Sequence, residues 1–253
     1  MNTTATHSRQ AGFSLVEAMV GMLIGAIVMA AAYSLWLTHQ EEGYRLGKKI
    51  DVRNQLTLAS KRLQRSITLA GLGLGGAANM LKSDAMGSDT LILYFNSQEV
   101  RGTLSANAQH TDPVIQVDNP APFDAAQYVA ISYAGHGEIR RVVSVSGSTI
   151  HLDTAFAVDY PMAGSLVYPA AREVFFSEQD STRFIRVVGG ERQIMAKSVK
   201  NFQVSFRDKN GAATEIAAEV RTVQFSLTGI YPAKEGALNS MVLSSTAIPR
   251  NML

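Results

Sequence analysis

One long apolar segment near the N-terminus constrains this chain more than any other feature. Residues 18–37 carry no charged side chain, and Ser34 is the one serine or threonine among them. As a helix rising about 1.5 Å per residue, this segment is about 30 Å long, the thickness of a bilayer's hydrocarbon core. No second run of that length follows, so we expect one membrane-spanning helix and a head outside the bilayer.

An acidic residue, Glu17, directly precedes the apolar segment. A lone carboxylate deep in a membrane costs roughly 2.5–3.5 kcal/mol or more. Some partner must therefore compensate for this charge.

The flanking charges predict an orientation. Arg9 and the Met1 amine precede the segment, whereas Glu41 and Glu42 follow it. The positive-inside bias then places the N-terminus in the cytoplasm and the head outside.

Two ordinary explanations leave Glu17 unexplained. A plain single-pass anchor gives it no role. A secretory signal cleaved after the alanines at 30–32 would carry an acid where such signals have a base, and the apolar pattern continues beyond that cut.

The residues Gly12-Phe13-Ser14-Leu15-Val16-Glu17 resemble the processing site of type IV prepilins and type II secretion pseudopilins. The resemblance implies that a prepilin peptidase in the inner membrane cuts between Gly12 and Phe13, and that Phe13 is then N-methylated. It also implies an assembly role for Glu17, whose carboxylate would pair with the terminal amine of a neighbouring subunit. Two charges that are costly alone would then become a register-selecting contact.

The helix is expected to continue beyond the apolar segment as an amphipathic stretch over 38–71. Apolar residues recur there at spacings of three and four: Val52, Leu56, Ala59, Leu63, Ile67 and Ala70. Between residues 45 and 65 the sequence has one acidic residue, Asp51, and seven basic ones: Arg45, Lys48, Lys49, Arg53, Lys61, Arg62 and Arg65. This basic stretch is either a solvated face or a contact for acidic neighbouring subunits.

The stretch GLGLGG at 71–76 literally matches the dinucleotide-binding pattern at Gly71, Gly73 and Gly76. A dinucleotide site needs those glycines after a strand and before a helix. Here they follow a helix, so they predict a helix end and a connector. The sequence therefore predicts no cofactor.

From residue 89 the chain predicts short strands with turns between them. The runs are 90–96, 114–118, 128–133, 138–146, 149–153, 172–178, 183–198, 199–215 and 220–232, with a hairpin turn at Asp208 to Gly211. The helix followed by strands predicts an α+β fold, and the resemblance to prepilins implies that it is pilin-like, with a long N-terminal helix packed on an antiparallel β-sheet head and an extra β-rich module. The expected organisation is a leader at 1–12, a membrane and filament-core helix at 13–37, an amphipathic helix at 38–71, a connector with the first head strand at 72–103, an inserted β-rich module at 104–169 and a C-terminal pilin β-sheet at 170–253.

No catalytic site is evident. The chain has no cysteine, and its five histidines lack metal-ligand spacing. Asp208, Asn210 and Glu215 partly resemble a calcium loop, but the full run of ligands is missing, and a hairpin turn is favoured. A net charge of +2, without basic and aromatic residues interleaved in the head, gives no sign of nucleic-acid binding.

These features together are most like a minor pilin of the PilW type, which would sit at or near the tip of a type IV pilus and help to initiate assembly. The implied partners are other minor and major pilins and the prepilin peptidase. The protein would lie in the inner membrane before assembly and on the pilus afterwards. A GspJ-like pseudopilin of type II secretion is the near alternative, and a secreted periplasmic binding or catalytic protein is the distant one.

We predict that Gly12→Val blocks maturation, because the family's peptidase needs a residue without a side chain beside the scissile bond. Full-length precursor should then accumulate in the membrane, as measured by mass spectrometry of the N-terminus. Normal maturation of this variant would contradict the predicted processing site.

Overall fold

The computed structural model describes residues 14–74, 89–96, 100–123, 128–178, 180–215, 219–233 and 236–249, and the backbone of 81–83. Its elements are α1 (Leu15–Leu69), β1 (Leu81–Ser83), β2 (Thr90–Phe95), β3 (Gly102–Thr103), β4 (Val114–Gln116), β5 (Tyr128–Tyr133), β6 (His136–Ser146), β7 (Thr149–Leu152), β8 (Leu166–Glu178), β9 (Arg183–Val188), β10 (Glu191–Lys197), β11 (Val199–Arg207), β12 (Thr222–Pro232) and β13 (Leu238–Ala247). One long helix and antiparallel strands confirm the α+β prediction.

The chain divides into two compact units, Met1–Lys48 and Lys49–Leu253. The described part of the first unit is the N-terminal part of α1, which is long and apolar enough to cross a membrane. Its large apolar side chains, such as Met22 and Met29, are exposed. Exposed apolar side chains along a helix of this length need a surrounding environment of lipid or of other protein chains.

The second unit contains two sheets. In the larger sheet the strands follow the order β1-β2-β8-β5-β6-β7-β4, while β3 and β9 also pair with β8, and β10 pairs with β9. The smaller sheet has the order β11-β12-β13. The segment 170–253, expected as one C-terminal sheet, therefore supplies strands to both sheets.

The main core lies between the amphipathic part of α1 and the two sheets. The stripe residues Leu56, Leu63 and Ile67 are at most 1% exposed and pack against apolar residues of the smaller sheet. Alternate residues of β11 and β12, including Phe202 and Phe225, point into this core because successive side chains of a strand face opposite sides. The predicted packing of a long helix on antiparallel β-structure is confirmed.

Gly229 marks the closest approach of helix and sheet within the second unit. A Cβ atom on Gly229 would lie 2.6 Å from Cγ1 of Val52 and 2.8 Å from Cδ1 of Leu56. Real Cβ atoms do not come so near other carbon atoms, so any side chain here would force the side chains of Val52 and Leu56, or the helix that carries them, to shift. The absence of a side chain at this position thus lets Val52 and Leu56 pack directly on the strand.

Two glutamines of α1 bind the backbone of edge strands. The Lys197 N–H in β10 donates to Oε1 of Gln55 at 2.7 Å. Nε2 of Gln64 donates to Oγ of Ser245 at 2.6 Å and to the Thr246 carbonyl of β13 at 3.3 Å. These side chains fix the position of α1 across the sheets with directional contacts, which apolar packing alone does not supply.

A second, separate core fills the segment expected as a β-rich module. Its buried residues all fall between Leu104 and Val167, with Phe123 and Tyr160 as the largest. However, β8 runs without a break across residue 169, where the module was expected to end, and joins this core to the main one. Whether the segment is a separate domain stays a prediction.

The glycine-rich stretch ends α1 as expected, with the last helical residue at Leu69. Gly71 and Gly73 have φ angles of 75° and 70°, in the left-handed region that favours glycine. The Gly71 N–H donates to the Tyr94 carbonyl at 2.8 Å, which turns the chain onto β2. Gly76 lies outside the described residues.

We predict that Gly229→Ala lowers the free energy of unfolding by about 1–3 kcal/mol, because overpacking displaces α1 from β12. Thermal unfolding of the full chain in detergent, followed by circular dichroism, should show a melting temperature several degrees lower. Ser226→Ala, on the outer face of the same strand, is the matched control and should change it little. Equal stability of Gly229→Ala and wild type would contradict the close approach.

Candidate functional site

The first turn of α1 contains a capping box formed by Ser14 and Glu17. The Ser14 N–H donates to Oε2 of Glu17 at 3.1 Å, and the Glu17 N–H donates to Oγ of Ser14 at 3.2 Å. Each side chain thus satisfies a backbone donor that the start of a helix leaves without an intrahelical partner. The sequence analysis missed this pair, although Ser-x-x-Glu before an apolar run is a known signature of helix starts.

The capping box gives the acid at the entrance of the apolar segment a local partner. The negative charge of Glu17 also lies at the positive end of the helix dipole, where an anion is stabilised by roughly 0.3–1 kcal/mol. Oε1 of Glu17 makes no hydrogen bond within the described residues, so one carboxylate oxygen remains for a donor from another molecule. Capping and pairing with an amine are therefore compatible.

The predicted processing residues, Gly12 and Phe13, lie outside the described residues. The structure thus locates Glu17 and its partner Ser14, and the pairing of Glu17 with the Phe13 amine of a neighbouring subunit stays a prediction. Further along α1, a Cβ atom at Gly21 or Gly25 would meet nothing within 4 Å, so both glycines border open space in the isolated chain. That space is available to another helix.

The basic stretch of α1 is largely free of ion pairs among the described residues. Arg45 pairs with Glu41 at 3.0 Å, one helical turn away. Nζ of Lys49 lies 5.9 Å from the centre of the Tyr231 ring. The remaining basic residues of the second unit's helix, Arg53, Lys61, Arg62 and Arg65, are exposed. Their exposure is compatible with both predicted roles, a solvated face and a contact with acidic subunits.

The structure brings together no metal site among the described residues, in which no group of three His, Asp or Glu side chains converges. Oδ1 of Asp208 instead accepts hydrogen bonds from the N–H groups of Asn210 and Ala212, both at 2.8 Å, and so holds the predicted turn.

His110 pairs with Asp159 on the surface, with 2.8 Å between Nδ1 of His110 and Oδ1 of Asp159. The His110 backbone N–H, together with its ring, lowers the pKa of the Asp159 carboxyl.

Two buried carboxylates, which the sequence analysis did not single out, have structural partners. Glu138 accepts hydrogen bonds from the Ala157 N–H at 2.9 Å and the Tyr160 hydroxyl at 3.2 Å, and it pairs with Arg140. Burial and the nearby Glu138 charge raise the pKa of Tyr160. These contacts hold the chain around residues 153–160 against β6.

The second buried carboxylate, Glu173 of β8, pairs with Arg186 of the neighbouring β9. Because both buried acids are satisfied by fixed protein groups, they contribute to folding. Neither carboxylate is left without a protein partner and free to exchange a proton with a substrate, as a catalytic acid or base must be.

Comparison with known families places the N-terminus in a defined class. Residues 7–33 match the family described as "Prokaryotic N-terminal methylation motif". This match covers the predicted processing residues, Ser14, Glu17 and most of the apolar segment. The match to this motif supports the prediction that the protein is not an enzyme.

The other comparisons are distant. No curated protein matches the chain significantly. A type IV-like pilin from Thermus thermophilus is 12% identical, with 79% of this chain and 98% of that chain covered, at a TM-score of 0.40. A tailspike of the Acinetobacter baumannii bacteriophage AP22 is 16% identical, with 31% of this chain and 15% of that chain covered, at a TM-score of 0.27. No functional inference is based on either likeness.

We predict that Ser14→Ala opens the first turn of α1, because the Glu17 N–H then loses its acceptor. Loss of such a cap costs about 0.5–2 kcal/mol, so the Glu17 amide should exchange its hydrogen about 2- to 30-fold faster. Hydrogen exchange of the full chain in detergent micelles measures this rate. Ser34→Ala in the same helix is the control, and an unchanged rate in Ser14→Ala would disprove the capping box.

Proposed function

We propose that this protein is a minor pilin of a type IV pilus, most similar to the PilW type, which is inserted at or near the filament tip and helps to initiate assembly. The observation that carries the proposal is the methylation motif at 7–33, which continues directly into a helix of membrane-spanning length. The amphipathic continuation of that helix is packed on antiparallel sheets, as a pilin head requires.

In this proposal the chain is first held in the inner membrane by α1, with the head on the periplasmic side. The prepilin peptidase cuts between Gly12 and Phe13, and methylation of Phe13 follows. The exposed apolar residues of the first unit then exchange lipid contacts for contacts with the corresponding helices of other pilins. Small residues such as Gly21 and Gly25 allow those helices to approach closely.

Glu17 would have two tasks in succession. In the single chain its Oε2 accepts the Ser14 N–H and closes the first turn of the helix. In the filament its charge would neutralise the amine of a neighbouring subunit's first residue. Removing one partner of such a buried pair costs about 3–5 kcal/mol, because the other charge remains without compensation. The pair would thus select the correct register between subunits.

A type II secretion pseudopilin of the GspJ kind is the near alternative, since it would share the motif and the helix. The additional β-rich core between Leu104 and Val167 favours the pilus, because pseudopilin heads of this kind are expected to be shorter. A secreted protein with a classical signal is less favoured. Its cleavage site, at residues 30–32, would lie within the continuous helix α1.

Glu17→Gln separates the two tasks of this side chain. Glutamine at the third helical position also completes a capping box, so it should keep the first turn closed while it removes the charge. We predict that Glu17→Gln is cleaved and methylated normally but incorporated into sheared pili at least about 100-fold less, which corresponds to about 3 kcal/mol. Quantitative mass spectrometry of pilus and membrane fractions measures both quantities.

Two further variants make the result interpretable. Glu17→Ala, which loses the charge and the cap, should fail as Glu17→Gln does, whereas Ser14→Ala, which keeps the charge, should be incorporated. Incorporation of Glu17→Gln at the wild-type level would disprove the charge pairing and leave the cap as the role of Glu17. An N-terminus at Tyr33 in the mature protein would overturn the proposed function itself.

A further inference from the structure

The last strand of the smaller sheet, β13, has one free edge. Among the described residues it pairs with β12 alone, in a register that runs from Val223 opposite Ala247 to Pro232 opposite Leu238. At ten residues it is long for an edge strand, since strands average about five or six. A long free edge offers a row of backbone donors and acceptors to any extended chain that reaches it.

The hydrogen bonds around β12 show which backbone groups of β13 face outward. The Ile230 N–H donates to the Ser198 carbonyl at 2.8 Å, on the β11 side. Because backbone groups alternate along a strand, even-numbered residues of β12 face β11 and odd-numbered ones face β13. The odd-numbered residues of β13 therefore bond to β12, and its even-numbered residues face away.

A contact at the far end of β13 independently supports this assignment. The carbonyl of Thr246 accepts a hydrogen bond from Gln64 of α1 rather than from β12. Toward the other end, no described residue bonds to the outward backbone groups of Leu238, Ser240, Val242 and Ser244. Gln64 thus closes one end of the edge and leaves about four residues of it open.

The open edge lacks the features by which proteins usually prevent strand addition. Charged side chains, bulges and short strands are the common protections. A second edge strand, β10 of the larger sheet, has Glu191, Arg192 and Lys197, and a bulge between Ile194 and Ala196. Residues 236–249, by contrast, contain no charged side chain. Leu238 and Val242 of β13 are 64% and 63% exposed.

The outer face of the sheet beside this edge is polar, and its charged residue, Arg207, lies on the far strand β11, where its Nε donates to Oε1 of Gln224 at 3.1 Å. The outward residues of the neighbouring strands include Gln203, Ser205, Gln224 and Ser226, and Ser244 and Thr246 of β13 continue the same surface. A strand added at β13 would extend this surface. A charged residue on that strand would find no opposite charge on the nearest strands, β13 and β12, so the best fit is a strand with hydroxyl and β-branched side chains.

We infer that the β13 edge is a binding site for an extended, uncharged segment of a different polypeptide, which adds to the sheet as a further antiparallel strand. The N–H and carbonyl groups of Ser240, Val242 and Ser244 give affinity through backbone hydrogen bonds, and the exposed Leu238 and Val242 give contact area. The inference depends on the geometry of β13 and not on the proposed processing or on the pilus.

The test uses the full chain in detergent micelles and a defined probe. The probe is a capped nonapeptide that alternates valine with serine or threonine, and its control contains prolines at alternate positions and cannot pair as a strand. We expect the first peptide to slow hydrogen exchange of the Ser240, Val242 and Ser244 amides at least about 10-fold. The amides of Met241 and Leu243, already bonded to β12, serve as an internal reference.

Two variants place the effect at this edge. Ser244→Pro removes one outward N–H that has no described partner, so the fold should tolerate it while strand addition fails. Val242→Lys introduces the charge that the edge lacks. Ile194→Lys, at the exposed β10 edge, is the matched control and should leave peptide protection unchanged. Thermal unfolding of each variant verifies the fold.

Three results would overturn the inference. The strand-forming peptide could fail to slow exchange of the even-numbered amides. It could slow exchange equally in Ser244→Pro and Val242→Lys, in which case it binds elsewhere. Finally, these amides could be protected without peptide, more strongly at higher protein concentration, in which case a second copy of this chain covers the edge instead of a different polypeptide.

Discussion

The head depends on the contact between the amphipathic part of α1 and the smaller sheet. Leu56, Leu63 and Ile67 are almost fully buried there, and burial of each such side chain contributes about 1.5–3 kcal/mol. The contact is tightest at Gly229, where a Cβ atom would overlap the side chains of Val52 and Leu56. Gln55 and Gln64 then set the position of the helix through hydrogen bonds to two edge strands.

The N-terminal part of the same helix carries a charge, on Glu17, at the start of an apolar segment, and that charge must be stabilised. The capping box between Ser14 and Glu17 stabilises that charge within one chain. It also leaves one carboxylate oxygen for an intermolecular partner. Glu17 thus has a hydrogen-bond partner in the single chain and could gain a second one in an assembly. This suits a subunit that is held in a membrane before it is assembled.

Two edge strands of the head, β10 and β13, differ in a way that bears on its interactions. β10 carries charges and a bulge, both of which oppose strand addition, whereas residues 236–249, which include β13, have no charged side chain. Stability of the head does not require this difference, because the side chains that pack inward are the same with or without charges on the outer face. The difference in charge between β10 and β13 fits the inferred addition of a partner strand at β13. That contact would be distinct from the one made by the apolar helix.

The sequence by itself determined the features that depend on neighbouring residues. The apolar length of residues 18–37, the processing motif around Gly12 and the three-to-four spacing of the stripe predicted the membrane helix and its amphipathic continuation. The glycines at 71 and 73 predicted where that helix ends, to within two residues. Alternation and turn residues predicted most strands, because a strand's pattern is local. The capping box was also readable in Ser14 and Glu17, but it was overlooked.

Only the tertiary structure decided how these elements combine, because such contacts join residues far apart in the chain. Nothing around Gly229 in the sequence indicates that Val52, almost 180 positions earlier, packs against it. The division of segment 170–253 between two sheets, and the continuity of β8 across the two cores, depend on long-range pairing. The direction of each backbone group of β13, and hence its open edge, follows from the register with β12, which local pattern alone does not specify.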